Sequence, residues 1–427
     1  MNKTIQFSAI VSLFLLLSFQ LAAQTFKAGA ALRIITPQSL LPISGGMGYP
    51  ETPVAKAGEL FARAIVLQQG ETTVAIVSVD NLGWPAPLGD VSRKLIANIA
   101  PENILIAATH THSAPDAYGF ADRDGKLAAD LNYLQWCAEM IAEAVNEAYS
   151  NLQPANLRSA VGEAKGKIAY NYYADILYDP RCGVIQAFPA KDNESNPIFT
   201  LVNYAIHPEI LGTKRRLLSP DLCGPLYDRI EEKTGGMAIF VNGALGGMIT
   251  ADNRMPAGGE ANSWEECVRI GTLLADEALR IIEPAPLQML PTLYSASKLV
   301  EFPIDSDYMR EALKRSPILS KSPGTKNYTV APARLNLINI GQAQIITAPG
   351  EAMPNIGYYL KRKQNTSQPM LFGLVNDSFG YIITKEDFGS FQRYDYISRT
   401  ALGEMTGEIY ITEALKLIES APAADRP

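Results

Sequence analysis

Three histidines, the only ones among 427 residues, stand where imidazole nitrogens could bind a metal ion. His110 and His112 follow the run Asn-Ile-Leu-Ile-Ala-Ala-Thr, and His207 follows Phe-Thr-Leu-Val-Asn-Tyr-Ala-Ile. Each lies where a buried strand gives way to a loop, which is the edge at which α/β proteins place ligands. Zinc accepts imidazole nitrogen and carboxylate oxygen, and a catalytic zinc site leaves one position to water. The sequence therefore predicts a zinc site built on His110 and His207.

Two further predicted strands end beside oxygen donors. The run Gln-Ile-Ile-Thr-Ala-Pro leads to Glu351, and Met-Leu-Phe-Gly-Leu-Val leads into a stretch that ends at Tyr381. Each has an ordinary structural reading, since a carboxylate suits the first turn of a helix and tyrosine commonly packs in a core. His112 shares a strand face with His110, so it either binds the metal or orients water or substrate.

Such a metal site favours hydrolysis. A bound zinc ion lowers the pKa of its water from about 16 to roughly 7, which supplies hydroxide at neutral pH. A serine hydrolase is disfavoured, because the chain has no Gly-x-Ser-x-Gly motif and the metal needs the histidines.

The elements that must position these residues follow from apolar runs that alternate with helical patterns. We predict strands at Ala62–Leu67, Thr73–Val79, Asn103–Ala108, Phe199–Ile206, Ala238–Val241, Leu335–Ile340, Gln344–Thr347 and Met370–Val375. We predict helices at Leu88–Ile99, Asp130–Tyr149, Gly224–Lys233, Trp264–Ile282, Ala352–Lys363 and Ala401–Ile418. This alternation indicates an α/β fold, a large single domain with a mixed β-sheet core covered by helices and with ligands at strand ends. The polar segment Asp305–Tyr328 is either a surface insertion beside the site or an ordinary loop.

Composition narrows the class of protein. The net charge of −7 argues against a nucleic-acid partner, because general binders of phosphate backbones are basic. Lys3 followed by an apolar run predicts a signal peptide over residues 1–23, and hence a secreted or periplasmic protein with no transmembrane segment in its mature chain. In an exported protein, the four cysteines either form up to two disulfides or remain buried thiols: Cys137, Cys182, Cys223 and Cys267.

The motifs around these residues resemble the neutral ceramidases, which are zinc amidases that cleave N-acylsphingosine. The most specific stretch is Ala-Thr-His-Thr-His-Ser-Ala-Pro at Ala108–Pro115. It is followed, in the order found in that family, by Tyr204–Pro208, Ser219–Asp221, Pro349–Glu351, Gly380–Thr384 and Gln392–Tyr394. The resemblance is to the catalytic domain of the family and covers residues 27–427.

Carried over by position, the resemblance implies the roles of six residues. The implied Zn²⁺ ligands are His110, His207, Glu351 and Tyr381. The implied substrate-facing groups, with hydrogen-bonding or acid–base roles, are His112 and Tyr394. A metal-activated water would then attack the amide (N-acyl) bond of a small-molecule or lipid-like substrate.

The chain departs from the family at polar positions around the metal. Gly247 aligns with a family serine, and this chain reads Asn171-Tyr172-Tyr173 where the family has a substrate-contacting Arg in an Asn-Arg context. Losing a buried polar contact costs about 1–3 kcal/mol, so two losses indicate a substrate other than ceramide. Two alternatives stay open: an esterase or amidase for another small or lipid-like substrate, and a metal-containing binding protein without catalysis.

Overall fold

The structure is a computed structural model that describes residues 25–192, 196–321 and 326–424. The predicted signal peptide, residues 1–23, lies outside the described residues. The strands are β1 (Lys27–Ile34), β2 (Ile43–Ser44), β3 (Ala55–Lys56), β4 (Phe61–Gln69), β5 (Thr72–Val79), β6 (Ile104–Ala108), β7 (Ala114–Pro115), β8 (Gln153–Glu163), β9 (Ala169–Asn171), β10 (Arg181–Pro189), β11 (Phe199–Tyr204), β12 (Leu217–Leu218), β13 (Met237–Asn242), β14 (Ile249–Ala251), β15 (Leu293–Pro303), β16 (Val330–Ile340), β17 (Ala343–Thr347), β18 (Glu351–Ala352), β19 (Gln368–Phe372) and β20 (Tyr381–Ile382). The α-helices are α1 (Ala86–Lys94), α2 (Leu131–Ser150), α3 (Cys223–Thr234), α4 (Trp264–Ile282), α5 (Asp307–Arg315), α6 (Pro354–Lys363), α7 (Asp395–Arg399) and α8 (Thr406–Ser420).

The larger sheet has eight strands in the order β13-β11-β10-β8-β1-β4-β5-β6. Its two parallel pairs are β5 with β6 and β11 with β13, and each pair is connected through a helix. The sheet curls until β13 at one edge approaches β5 and β6 at the other, and Ser78 Oγ on β5 donates to Phe240 O on β13 at 2.5 Å. This curl brings the carboxyl ends of β6 and β11, the two strands that precede the histidines, into one neighbourhood.

A second sheet packs against the first. Its order is β15-β16-β17-β19, and its one parallel pair, β17 with β19, is connected through α6. Buried side chains of both sheets share one hydrophobic cluster, in which Ile65 and Ile185 of the larger sheet join Ile338, Ile345 and Phe372 of the smaller. This burial of apolar surface is the main stabilising contribution between the layers.

Helices cover the outer face of each sheet. The apolar face of α2 packs on β1 and β4, while α3 and α4 cover β8, β10 and β11. The smaller sheet is covered by α6 and α8. The predicted α/β class, with a mixed β-sheet core under helices, is thus confirmed, and the structure adds that the core consists of two facing sheets.

Two further sequence expectations concern thiols and membranes. All four cysteines are buried and free in the structure, which agrees with the thiol alternative rather than with disulfides. Within the described ranges, no helix combines the length and the apolar character needed to span a bilayer.

Candidate metal centre

A buried amide joins the two strand ends that carry His110 and His207. Asn242, at the end of β13, donates from Nδ2 to Thr109 O at 3.0 Å and to Ile206 O at 2.7 Å. These carbonyls belong to the residues that directly precede the two histidines. Asn242 Oδ1 accepts from the N–H of Ile206 at 3.0 Å, and the side chain is fully buried. One side chain therefore fixes the separation of both histidine backbones.

The ring orientations of His110 and His207 are set by main-chain carbonyls. Nδ1 of His110 lies 2.6 Å from Leu82 O, and Nδ1 of His207 lies 2.8 Å from Ile249 O. Because a carbonyl oxygen can only accept, each Nδ1 carries the proton and each Nε2 keeps a free lone pair. This is the arrangement that metal-binding histidines show.

His112 completes a cluster of three imidazoles. Its Nδ1 lies 3.5 Å from Glu209 Oε2, so its second nitrogen is also oriented by an acceptor. One ring nitrogen from each of His110, His112 and His207 lies within 4.8 Å of the other two. The cluster can therefore hold a metal ion through two or three imidazoles.

Glu351 and Tyr381 lie on a separate two-stranded sheet, β18 with β20. They are direct neighbours in the parallel pair β18–β20. Glu351 Oε1 lies 3.8 Å from His110 Nε2, and Oε2 lies 3.2 Å from His207 Nε2. The Tyr381 hydroxyl lies 3.3 Å from Met248 Sδ. The structure thus brings together the four side chains predicted as metal ligands, and their binding of metal stays a prediction.

The backbone at His110 is strained. Its φ of +73° lies in the left-handed region, which non-glycine residues rarely adopt. The N–H of His110 donates to Asn81 O at 2.9 Å, which helps to hold this conformation. Such strain costs of order 1 kcal/mol and accumulates at functional sites.

Burial sets the protonation of the donors. It lowers the pKa of His110 and of His112 to about 3, so both rings are neutral and able to bind a metal at neutral pH. Burial would raise the pKa of Glu351, but the nearby His110 and His207 outweigh it and lower that pKa. Burial would lower the pKa of His207, yet Glu351, whose Oε2 lies 3.2 Å from Nε2, and Glu209 raise it. Glu351 is therefore a carboxylate at neutral pH, which is the form that binds a metal cation.

Three buried atoms at the centre have no hydrogen-bond partner among the described residues: His112 Nε2, His207 Nε2 and Glu351 Oε2. An unsatisfied buried polar atom costs about 1–3 kcal/mol, so native structures rarely retain one without an ion or a water. A divalent cation would satisfy all three at once. Imidazole nitrogens with a carboxylate are the donor set of catalytic zinc, so these residues fit that ion.

The residues of the centre line a cavity. Its walls include apolar side chains from α5, from β16 and from the loops beside them, among them Met309, Leu313, Ala331, Phe379 and Leu402. Polar groups near the centre are contributed by Tyr118, Glu209, Asp377, Ser378 and Tyr396. Of the polar segment Asp305–Tyr328, the described part that includes α5 lies beside the site.

Tyr394, predicted to face the substrate, does not line this cavity. Its ring packs 4.9 Å from that of Tyr173, and its assignment as a catalytic group stays a prediction. Tyr396 does line the cavity, as do Tyr118 and Tyr381, and its ring lies 6.0 Å from that of Tyr381. Burial raises the pKa of Tyr396 to about 12, so it keeps its proton. Sequence reasoning missed Tyr396, although it lies two residues from Tyr394.

Gly247, which aligns with the family serine, has a backbone conformation that disfavours any side chain. Gly247 has a φ of +73°, and a Cβ there would lie 3.0 Å from Met353 Cε. The next residue, Met248, also has a positive φ and places its side chain in the cavity wall. Met248 therefore contributes a thioether to the cavity wall, next to the position that aligns with the family serine.

Comparisons with known proteins agree with the resemblance found in the motifs. No family model matches the chain. The neutral ceramidase of Pseudomonas aeruginosa strain PAO1 is 23% identical over 297 residues, which cover 60% of this chain and 42% of that relative. The chain thus spans less than half the length of this curated relative.

Two solved structures share the fold. The crystal structure of neutral ceramidase from Pseudomonas aeruginosa aligns with a TM-score of 0.75 and 19% identity, covering 93% of this chain and 75% of that one. A ceramidase complexed with C2 aligns with a TM-score of 0.75 and 20% identity, over 94% of this chain and 76% of that one. The expected similarity is therefore confirmed in both sequence and fold.

Proposed function

We propose that this chain, which is neutral ceramidase-like in sequence and fold, is a zinc-dependent hydrolase that cleaves the amide bond of an N-acyl substrate. The observation that carries the proposal is the convergence of His110, His207 and Glu351, with buried atoms that lack partners, in a cavity. His110, His207, Glu351 and Tyr381 would hold the ion.

The cavity supports a substrate with an alkyl component. Met309, Leu313 and Leu402 are buried in its wall, and they offer contacts to hydrocarbon without any hydrogen-bonding group. An acyl chain that binds against them is removed from water, and this burial is favourable by about 25 cal/mol per Å² of apolar surface. The amide carbonyl at the end of such a chain would reach the polar groups of the centre.

The residues of the centre have different roles in hydrolysis. When bound, a zinc ion supplies Lewis acidity that polarises the carbonyl and acidifies water. His112 Nε2, which has no partner in the described structure, accepts the proton of the attacking water and passes it to the amine nitrogen. The water oxygen bonds to the carbonyl carbon, the C–N bond breaks, and a carboxylate and a free amine result.

Two further residues assist this step without forming a covalent bond. Glu209, 3.5 Å from His112 Nδ1, keeps that ring oriented. Tyr396 keeps its proton because burial raises its pKa to about 12, so its hydroxyl can donate to the carbonyl oxygen as negative charge develops there. Met248 offers no nucleophile, so the proposal relies on water rather than on a serine.

Chelation and reconstitution test the proposal. The purified protein should release p-nitroaniline from an acyl p-nitroanilide, lose this activity after dialysis against a strong chelator, and regain it with one equivalent of Zn²⁺. A matched p-nitrophenyl ester distinguishes an amidase from an esterase, because a preference for the ester alone would favour the second. Activity that survives removal of the metal would contradict the proposal.

Export is a further part of the proposal and rests on the predicted signal peptide. Expression with an epitope tag at the C-terminus, followed by fractionation, should find the protein outside the cytoplasm. Retention of the full-length protein in the cytoplasm would contradict it.

A further inference from the structure

A second cavity adjoins the one that contains the metal centre. Four residues line both cavities: Gly45, His112, Glu209 and Met248. His112 therefore lies at their junction, and a substrate whose scissile bond is beside His112 extends one part into each cavity. The two cavities differ in the chemistry of their walls, so the two parts of the substrate should differ as well.

The apolar arm is the part of the first cavity that is lined by Met309, Leu313, Leu319, Ala331 and Leu402. In this set no side chain carries charge, and Leu402 is fully buried. Hydrocarbon is the ligand chemistry that such a wall accepts.

The polar arm is the second cavity beyond the junction. Its side chains are mostly hydrogen-bonding or charged, and they include Tyr170, Tyr172, Thr213, Lys214, Arg215, Asn253, Glu260 and Asn262. A long alkyl chain placed here would displace the water that solvates these groups, which is unfavourable unless they find other partners.

Two cations in the polar arm lack a counter-charge. Lys214 and Arg215 come from the short 3₁₀ turn that follows Gly212, and both are exposed. Neither forms an ion pair with any residue of the described ranges, although most arginines of the chain do. Two acidic residues line this arm. Glu209 lies beside His112, so Glu260 is the acidic residue that remains to offset the two positive charges. The balance favours an anionic ligand group.

We propose that the amine component of the substrate is short and carries an anion, as in an N-acyl amino acid. The acyl chain lies in the apolar arm, the amide lies beside His112, and the carboxylate of the amino acid meets Lys214 and Arg215. These cations line the same cavity as Tyr172, which lies in the segment where the family motif has an arginine. This inference rests on the proposed amidase activity and names its substrate class.

Three amides that share a lauroyl chain test the inference with the zinc-loaded protein. They are N-lauroylglycine, N-lauroylethanolamine and N-lauroylsphingosine, whose amine components are anionic, neutral and long-chain. We expect kcat/KM for the glycine amide to exceed the other two by about tenfold or more, as one charge-assisted contact would give. Equal or faster cleavage of either other amide overturns the inference.

The double variant K214A/R215A tests whether Lys214 and Arg215 cause this preference for the glycine amide. It should lower kcat/KM for N-lauroylglycine about tenfold, mainly through KM, and leave N-lauroylethanolamine unchanged. The matched control R362A/K363A removes an adjacent pair of exposed cations that lines neither cavity and should change neither substrate. An equal loss on both substrates, or no loss, overturns the role of these cations.

The inference can fail separately from the amidase proposal. If no amide is cleaved, the proposed function fails, and titration calorimetry of N-lauroylglycine with both double variants decides the inference alone. Binding that K214A/R215A weakens about tenfold and R362A/K363A does not would support an anion site. Equal binding by both variants would overturn it.

Discussion

The metal centre and the two arms of the cavity are built in different ways. At the centre, His110 and His207 are fixed by main-chain carbonyls, and Asn242 ties their strand ends together. The arms are lined mainly by α5 and by the turn Thr213–Arg215, which are local segments outside both sheets, although β16 contributes Ala331 to the apolar arm. The difference indicates that the sheets hold the chemistry while the peripheral segments set the substrate. The residues of the arms, and with them the substrate, can therefore change without a change in the metal centre.

The largest predicted effect is the loss of metal affinity in H207A, which should distinguish the role of His207 from that of His112. H207A removes a proposed ligand, so metal affinity should fall by more than the roughly hundredfold that loss of a supporting hydrogen bond costs. H112A should retain the metal and lose about 10²–10⁴-fold in kcat, the usual contribution of an acid–base group. Metal analysis with steady-state kinetics measures both. Loss of metal in H112A would instead indicate a three-histidine site.

The next effect should distinguish two tyrosines that are two residues apart. Y396F should lower kcat by about a hundredfold, because it removes a donor to the developing oxyanion. Y394F is the matched control and should change kcat little, since Tyr394 does not line the cavity. Steady-state kinetics on one amide compares them. If Y394F were the more damaging change, the role predicted from the motif would belong to Tyr394.

A smaller effect should show that the centre depends on its backbone supports. N242A removes the bonds to Thr109 O and Ile206 O, and zinc affinity should fall about 10–100-fold. N203A is the control, because Asn203 also donates to three buried carbonyls but to neither residue that precedes a histidine. Both variants should lose stability in urea. Equal zinc affinity in the two would contradict a specific role for Asn242.

The smallest effect concerns a carboxyl group in the cavity wall. Burial raises the pKa of Asp377 from 3.8 to about 7, so the folded chain keeps a proton that the unfolded chain loses between these values. Unfolding free energy should therefore fall by about 1.4 kcal/mol per pH unit across this window and level off above it. D377N keeps an oxygen for the N–H of Ser378 and lacks this slope. Urea unfolding of the metal-free proteins at pH 5 and 6 compares them, and parallel slopes would contradict the argument.

Much of the fold was predictable because its central strands are continuously apolar. The runs Thr72–Val79 and Phe199–Tyr204 are buried almost throughout, so their apolar composition alone identifies them as strands. The long strands β1, β8 and β15 were missed because exposed and half-exposed residues interrupt their apolar pattern, and β10 was missed although it is buried almost throughout. In β15, for example, Lys298 and Glu301 face solvent. The pairing of two sheets depends on contacts between distant segments, which no local pattern reveals.

The site was predictable to the extent that its residues directly follow strands. His110, His207 and Glu351 do so, and their convergence follows from the topology. Glu209 and Lys214 could not be assigned, because their significance comes from neighbours that the fold brings close. For α5, the polar composition predicted a loop or an insertion, although Met309 and Leu313 are four residues apart and bury one face of a helix.

X-ray absorption spectroscopy of the zinc-loaded protein is the direct test of the proposed metal centre. We expect about one zinc per chain, with nitrogen and oxygen neighbours at about 2.0–2.2 Å, and the H207A protein should lack this signal. A sulfur shell at about 2.3 Å, or a protein that binds no zinc, would contradict a centre built on His110, His207 and Glu351.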